Sequence, residues 1–99
     1  MPKFSVSKPA QADMKAIARY TFEQWGAEQA VRYARNLEIC FQSLAENSRM
    51  GRACDAISSG LRRHEIGKHI VFYRLKPDGT RIVRVLHQQM IPTKSQFDK

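Results

Sequence analysis

Hydrophobic and polar positions change rhythm three times along the chain. Lys3 to Val6 alternates over a short stretch and predicts a first strand. Ser7-Lys8-Pro9 then offers a capping hydroxyl and a first-turn proline, where no helical amide bond is lost. Ala10, Met14, Ile17 and Thr21 follow at steps of four, three and four, with Trp25 continuing the stripe. That is one face of a helix, with Asp13 near its positive end and Gly26 as its stop. Ala27, Ala30, Ala34, Leu37, Phe41 and Leu44 step by three and four into a second helix, while Arg32, Arg35 and Glu38 mostly face elsewhere. So short a junction predicts an antiparallel helical hairpin, and the alanines allow close approach to a neighbour.

Residues 47–60 are polar and contain glycine, and they predict an irregular connection. Beyond Gly60 the pattern becomes strand-like over Leu61–Ile66, His69–Leu75 and Thr80–His87. Gly67-Lys68 fits a two-residue turn with positive φ at the glycine. Pro77-Asp78-Gly79 is the stronger turn, with Gly79 for a left-handed position. Strict alternation in the last strand would put Arg81, Val83, Val85 and His87 on one face and Ile82, Arg84 and Leu86 on the other. The predicted fold is α+β, β-α-α-β-β-β, with the helical hairpin packed on an antiparallel sheet. Trp25, Phe41 and Phe72 are the expected large core groups. Met90 is the expected last packed residue, and 91–99 a surface tail of a single domain over 1–99.

Composition narrows the function classes. The 99 residues suffice for one domain, and no apolar run approaches a membrane span. The N-terminus lacks the long apolar segment of a signal peptide. Cys40 and Cys54 form no metal motif and read as free thiols of a reducing cytoplasm. The net charge of +8, with ten Arg against seven Lys, attracts polyanions: nucleic acid, an acidic protein segment or an anionic membrane.

Several stretches together resemble the RelE/ParE toxin superfamily. They are Phe22-Glu23-Gln24-Trp25-Gly26 at the helix junction, Gly60-Leu61-Arg62 entering the sheet, and His69-Ile70-Val71-Phe72-Tyr73-Arg74. Asp78-Gly79-Thr80-Arg81-Ile82-Val83-Arg84-Val85-Leu86-His87 resembles the last hairpin, with Met90 after it. The resemblance spans Phe4 to Met90 and is strongest to the ParE branch; Ile91-Pro92 departs from its usual ending. It implies a toxin that inhibits DNA gyrase by protein binding, without a cofactor. It also implies neutralisation by an acidic, ParD-like antitoxin.

The RelE branch implies a different chemistry, ribosome-dependent cleavage of messenger RNA. That needs a base, an acid and positive charge at the phosphate. His87, Tyr73 and Arg81 are the candidates for such a site, with Arg74, His64 and Glu65 as further parts. Spacing alone gathers no such set on one face. A third reading, a nucleic-acid-binding module, has the charge but no helix-turn-helix, zinc or aromatic motif, so specific nucleic-acid binding is not expected. For antitoxin or target binding the candidates are Phe22 and Tyr33, which fall off the main stripes, and Arg62, Arg63, Arg74 and Arg84. The same arginines also suit a solvated sheet face.

Overall fold

Ser7 turns the chain from strand to helix. Strand β1 (Lys3–Val6) ends at this residue, whose extended backbone precedes α1 (Lys8–Trp25). Its hydroxyl accepts the Ala10 N–H at 3.1 Å and donates to the Val83 carbonyl at 2.7 Å, so one side chain caps the helix and ties it to the sheet. Gly26, at φ 92°, breaks α1 and opens α2 (Ala27–Glu46) with no further linker. The computed structural model describes residues 3–97; Met1 and Pro2 of the N-terminal segment and Asp98 and Lys99 of the tail lie outside it.

The remaining strands are β2 (Arg52–Ala53), β3 (Leu61–Ile66), β4 (His69–Lys76) and β5 (Gly79–His87). The sheet order is β1-β5-β4-β3-β2. The β2–β3, β3–β4 and β4–β5 pairs are antiparallel, but β1 runs parallel to β5, so the sheet is mixed and not antiparallel throughout. No local turn announces a pairing between the two ends of a chain. It depends on Gly79, where an added Cβ would lie 1.7 Å from the Lys3 carbonyl oxygen. Gly79 (φ 151°) thus serves close strand approach rather than a left-handed turn, whereas Gly67 (φ 55°) does take the turn conformation expected of it.

Helices cover one face of the sheet. Ala10, Leu37, Cys40, Phe41 and Leu44 pack against Val71, Tyr73, Ile82 and Val85. The opposite face carries a smaller cluster of Leu61, Ile70, Phe72, Leu86 and Phe97. β4 is therefore buried on both faces over Ile70–Tyr73. Phe97 departs from the expected surface tail. Residues 93–97 pass through a 3-10 turn (Lys94–Gln96) that lays its ring 4.7 Å from that of Phe72. Met90 is 46% exposed and is not the last packed residue. Trp25 is 71% exposed, because residues 22–29, the tip of the hairpin, all overhang the core.

A β-bulge breaks the alternation expected in β5. Phe72 pairs with Arg84 but Tyr73 with Ile82, so Val83 is the extra residue. Ile82 and Val85, which alternation would separate, both face the helices. Asp13 of α1 clamps the site: its Oδ2 accepts from Arg84 Nε at 2.8 Å and from the Val85 N–H at 3.0 Å, and Oδ1 accepts from the second guanidinium nitrogen at 2.9 Å. The pair is mostly buried, so it is screened little by solvent. Asp13→Ala should destabilise the fold by about 3 kcal/mol, because it strands a mostly buried guanidinium and an amide together. A urea-unfolding comparison with the wild type measures this.

Candidate functional site

The residues proposed for nuclease chemistry are dispersed. His87 and Arg81 sit six positions apart on β5, roughly 20 Å at the rise of an extended strand. Tyr73 is fully buried beneath the helices. Its hydroxyl donates to the Ser48 carbonyl and accepts from the Gly51 N–H, each at 2.9 Å. It is a pillar holding the loop after α2 against the sheet, and Gly51 must be glycine because a Cβ would lie 2.5 Å from that hydroxyl. His87 Nδ1 accepts the Gln89 N–H at 3.1 Å, and its ring stands edge-on to His69 at 5.5 Å. Arg81 reaches Ser5 Oγ at 3.3 Å. No base, acid and phosphate clamp meet here.

Tyr33, expected on an exposed patch, is half-buried and faces the end of the sheet. Its hydroxyl is 2.7 Å from His69 Nδ1 and 3.3 Å from the Ile66 carbonyl. Neutral His69 can accept that proton only with its own on Nε2. Burial pushes the His69 pKa below its ordinary 6.5, and nearby His87 adds to the effect. Burial likewise pushes the Cys40 and Cys54 thiols up, so neither is a ready nucleophile. Among the described residues, no three His, Cys, Asp or Glu side chains are grouped to hold a metal ion.

The arginines separate into two sets. Arg84 is committed to Asp13, and Arg62 donates to the Gly51 and Arg49 carbonyls at the end of the helix-covered side. Arg63 and Arg74 lie on the other face: Arg63 stacks 5.7 Å from the Phe72 ring centroid, and Arg74 donates to the Ser59 carbonyl and Ser58 Oγ. The structure therefore does not unite the four arginines in one patch.

Exposed apolar groups gather instead on the helical layer. Phe22 is 56% exposed, as expected, and shares a side of the last turn of α1 with Trp25, three residues on. Val31 and Ile39 are exposed on α2. Tyr20 and Ile17 border an open groove of about 540 Å³ between α1 and the end of β5, lined also by His69, His87 and Met90. A domain this small rarely leaves Trp, Phe and Tyr uncovered together, so this layer is the candidate interaction surface. Trp25 lies on the α1 stripe and is exposed all the same, because a stripe shows which residues align, not where the sheet beneath them ends; Tyr20, off the stripe, carries no periodic signal.

Comparisons with known proteins agree with this organisation. Residues 4–92 match the family described as ParE toxin of type II toxin-antitoxin system, parDE. The chain is 43% identical to Toxin ParE1 of Mycobacterium tuberculosis, over 89% of this chain and 91% of that one. It is 41% identical to Toxin ParE1 of Caulobacter vibrioides (91% and 93% covered) and 30% identical to Toxin ParE of Escherichia coli (91% and 88%). A solved structure titled "Chromosomal ParDE TA system from P. aeruginosa" superposes with a TM-score of 0.74 at 20% identity, covering 88% of this chain and 96% of that one. That likeness is one of fold.

Two outcomes follow from the geometry. Tyr73→Phe should cost about 2 kcal/mol, by leaving the Gly51 amide and the Ser48 carbonyl unpaired; thermal unfolding monitored by circular dichroism measures it. For His69, whose folded pKa is depressed, the neutral form is favoured in the native state. Its contribution is present above the ordinary value of 6.5 and is lost as pH falls below it towards the folded pKa. Urea midpoints across that window should fall more steeply for the wild type than for His69→Gln.

Proposed function

The chain belongs to the ParE toxin family of type II toxin–antitoxin systems, and from that premise we propose that it acts by binding, with DNA gyrase in the cytoplasm as its target. The observation that carries the reading is the dispersal of His87, Tyr73 and Arg81: each is spent on local structure or stands apart from the others. Messenger-RNA cleavage would need them, or equivalents, around one phosphate. A toxin that works by occupancy needs only a surface and a means of being held off.

The holding-off falls to an acidic, ParD-like antitoxin. The solved relative of similar fold is described as a ParDE system, and a protein of net charge +8 suits an acidic partner. The helical layer offers the apolar anchors such a partner requires: Phe22 and Trp25 at the hairpin tip, and the groove beside Tyr20. Arg84 contributes there only through its hold on Asp13.

The test of the target is a gyrase supercoiling reaction run beside a translation reaction. Lost supercoiling or trapped cleaved DNA, with translation intact, is the expected result; cut message with normal supercoiling would move the chain to the endonuclease reading. For the antitoxin, Trp25→Ala should weaken the complex by about 30-fold, near 2 kcal/mol, as a central aromatic anchor does. Titration calorimetry against the cognate antitoxin measures it, and an unchanged affinity would move the contact away from the hairpin tip.

A further inference from the structure

The sheet face turned away from the helices carries a concentration of cations. Strand register sets Arg74 of β4 directly opposite Arg81 of β5, with Ser5 of β1 next in the row. The same register sets Arg52 directly opposite Arg63 on the outer strands. Like charges placed opposite each other weaken a sheet; Arg52 is offset by an ion pair with Glu65 at 3.1 Å, so it is the Arg74–Arg81 pair that strand pairing does not explain. Arg63 and Arg74 flank Phe72 on this face, as its ring contact and the i, i+2 alternation require. At the β1 end of the face, Arg74, Lys76 and Arg81 line a groove of about 550 Å³ with Lys8, over a floor of Val83 and Phe97. Lys8 opens α1, an 18-residue helix with no acidic residue in its first turn, so its positive end adds to the field.

We propose that this groove binds the phosphodiester backbone of double-stranded DNA. The site would take anionic phosphate oxygens beside Arg74, Lys76, Arg81 and Lys8, Arg81 through a planar two-point contact and Arg74, whose terminal nitrogens also serve Ser58 and Ser59, through its charge. It reads no sequence, since it presents no helix or ribbon to a groove of the duplex. A single strand is a poorer fit: its binding relies on exposed rings that stack on bases, and both aromatics of this face, Phe72 and Phe97, are buried. An acidic protein segment is also a poorer fit, because the exposed apolar anchors lie on the helical layer at the other side of the sheet. The assignment does not depend on gyrase being the target.

The experiment is fluorescence anisotropy of a short labelled DNA duplex titrated with the full chain across a series of salt concentrations. Four neutralised phosphates give a slope of log K against log salt of about −3.6. Lys76→Gln combined with Arg81→Gln should weaken binding at least tenfold and reduce the slope to about −1.8, at about 0.9 per phosphate contact. Lys76→Gln alone, at an exposed position that cannot disturb the core, should reduce it by about 0.9. Lys15→Gln combined with Arg19→Gln removes the same charge from the exposed side of α1 and should leave affinity and slope near those of the wild type. Equal losses in the two double variants would reduce the binding to net charge and overturn the site. Displacement of the duplex by polyglutamate as effective as by unlabelled duplex would overturn the assignment to DNA in favour of an acidic protein segment.

Discussion

The carboxylate of Asp13 fixes the relation between the helical layer and the sheet. β5 is the strand on which both layers depend: it pairs with β1 and β4 and receives Ser7, Asp13 and the buried face of α1. A regular β5 could not present both Ile82 and Val85 to the helices, since residues three apart point to opposite faces. The bulge at Val83 solves this by shifting the parity, at the cost of a locally disrupted ladder. Asp13 takes the Val85 amide and holds the Arg84 guanidinium against α1, so the irregularity is satisfied from the helix side. The bulge, the helix and the ion pair are one structural unit.

That unit divides the surface into two chemistries. On the helical side, Arg84 and Arg62 are held by carboxylate and carbonyl partners, and the exposed face of the hairpin sets Phe22, Trp25, Tyr20 and Val31 among charged residues. On the other side, apolar groups are sealed by Phe97 and by Ile57 and Cys54 of the connecting loop, and the groove beside β1 is lined by cations. A protein partner with amphipathic segments suits the first surface and a polyanion the second. Residues with the chemistry of an active site hold structure here, Tyr73 as a hydroxyl pillar and His69 as the ring beside the Tyr33 hydroxyl.

Local patterns in the sequence carry most of the elements. The helical stripes place Leu37, Phe41 and Leu44 in the core, and the turn chemistry of Gly67 matches its φ of 55°. β3 begins and ends at its expected residues, and β4 and β5 each extend one residue further. What the sequence does not display is long-range. The parallel pairing of β1 with β5 joins residues more than 70 positions apart, and β2 is two residues long, too short for any periodic signal. The bulge reverses parity in the middle of a strand with no glycine or proline to mark it. Trp25 obeys its stripe and is still exposed, while Phe97 lies in a polar stretch and is buried, because burial depends on what lies opposite. For the candidate site, Phe22 was legible as an off-stripe aromatic. Tyr33 was not, since the same off-stripe position also points at the end of the sheet.

If recognition belongs to the outward side of the helical hairpin, while Tyr73, His69 and Arg84 maintain the fold, partner binding must shield the hairpin aromatics and leave the core untouched. Hydroxyl-radical footprinting of the chain, free and in complex with its antitoxin, tests this directly. Oxidation of Tyr20, Phe22 and Trp25 should fall sharply on complex formation while the reactivity of Tyr73 stays low in both states. Undiminished oxidation of those three aromatics in a fully formed complex would contradict it.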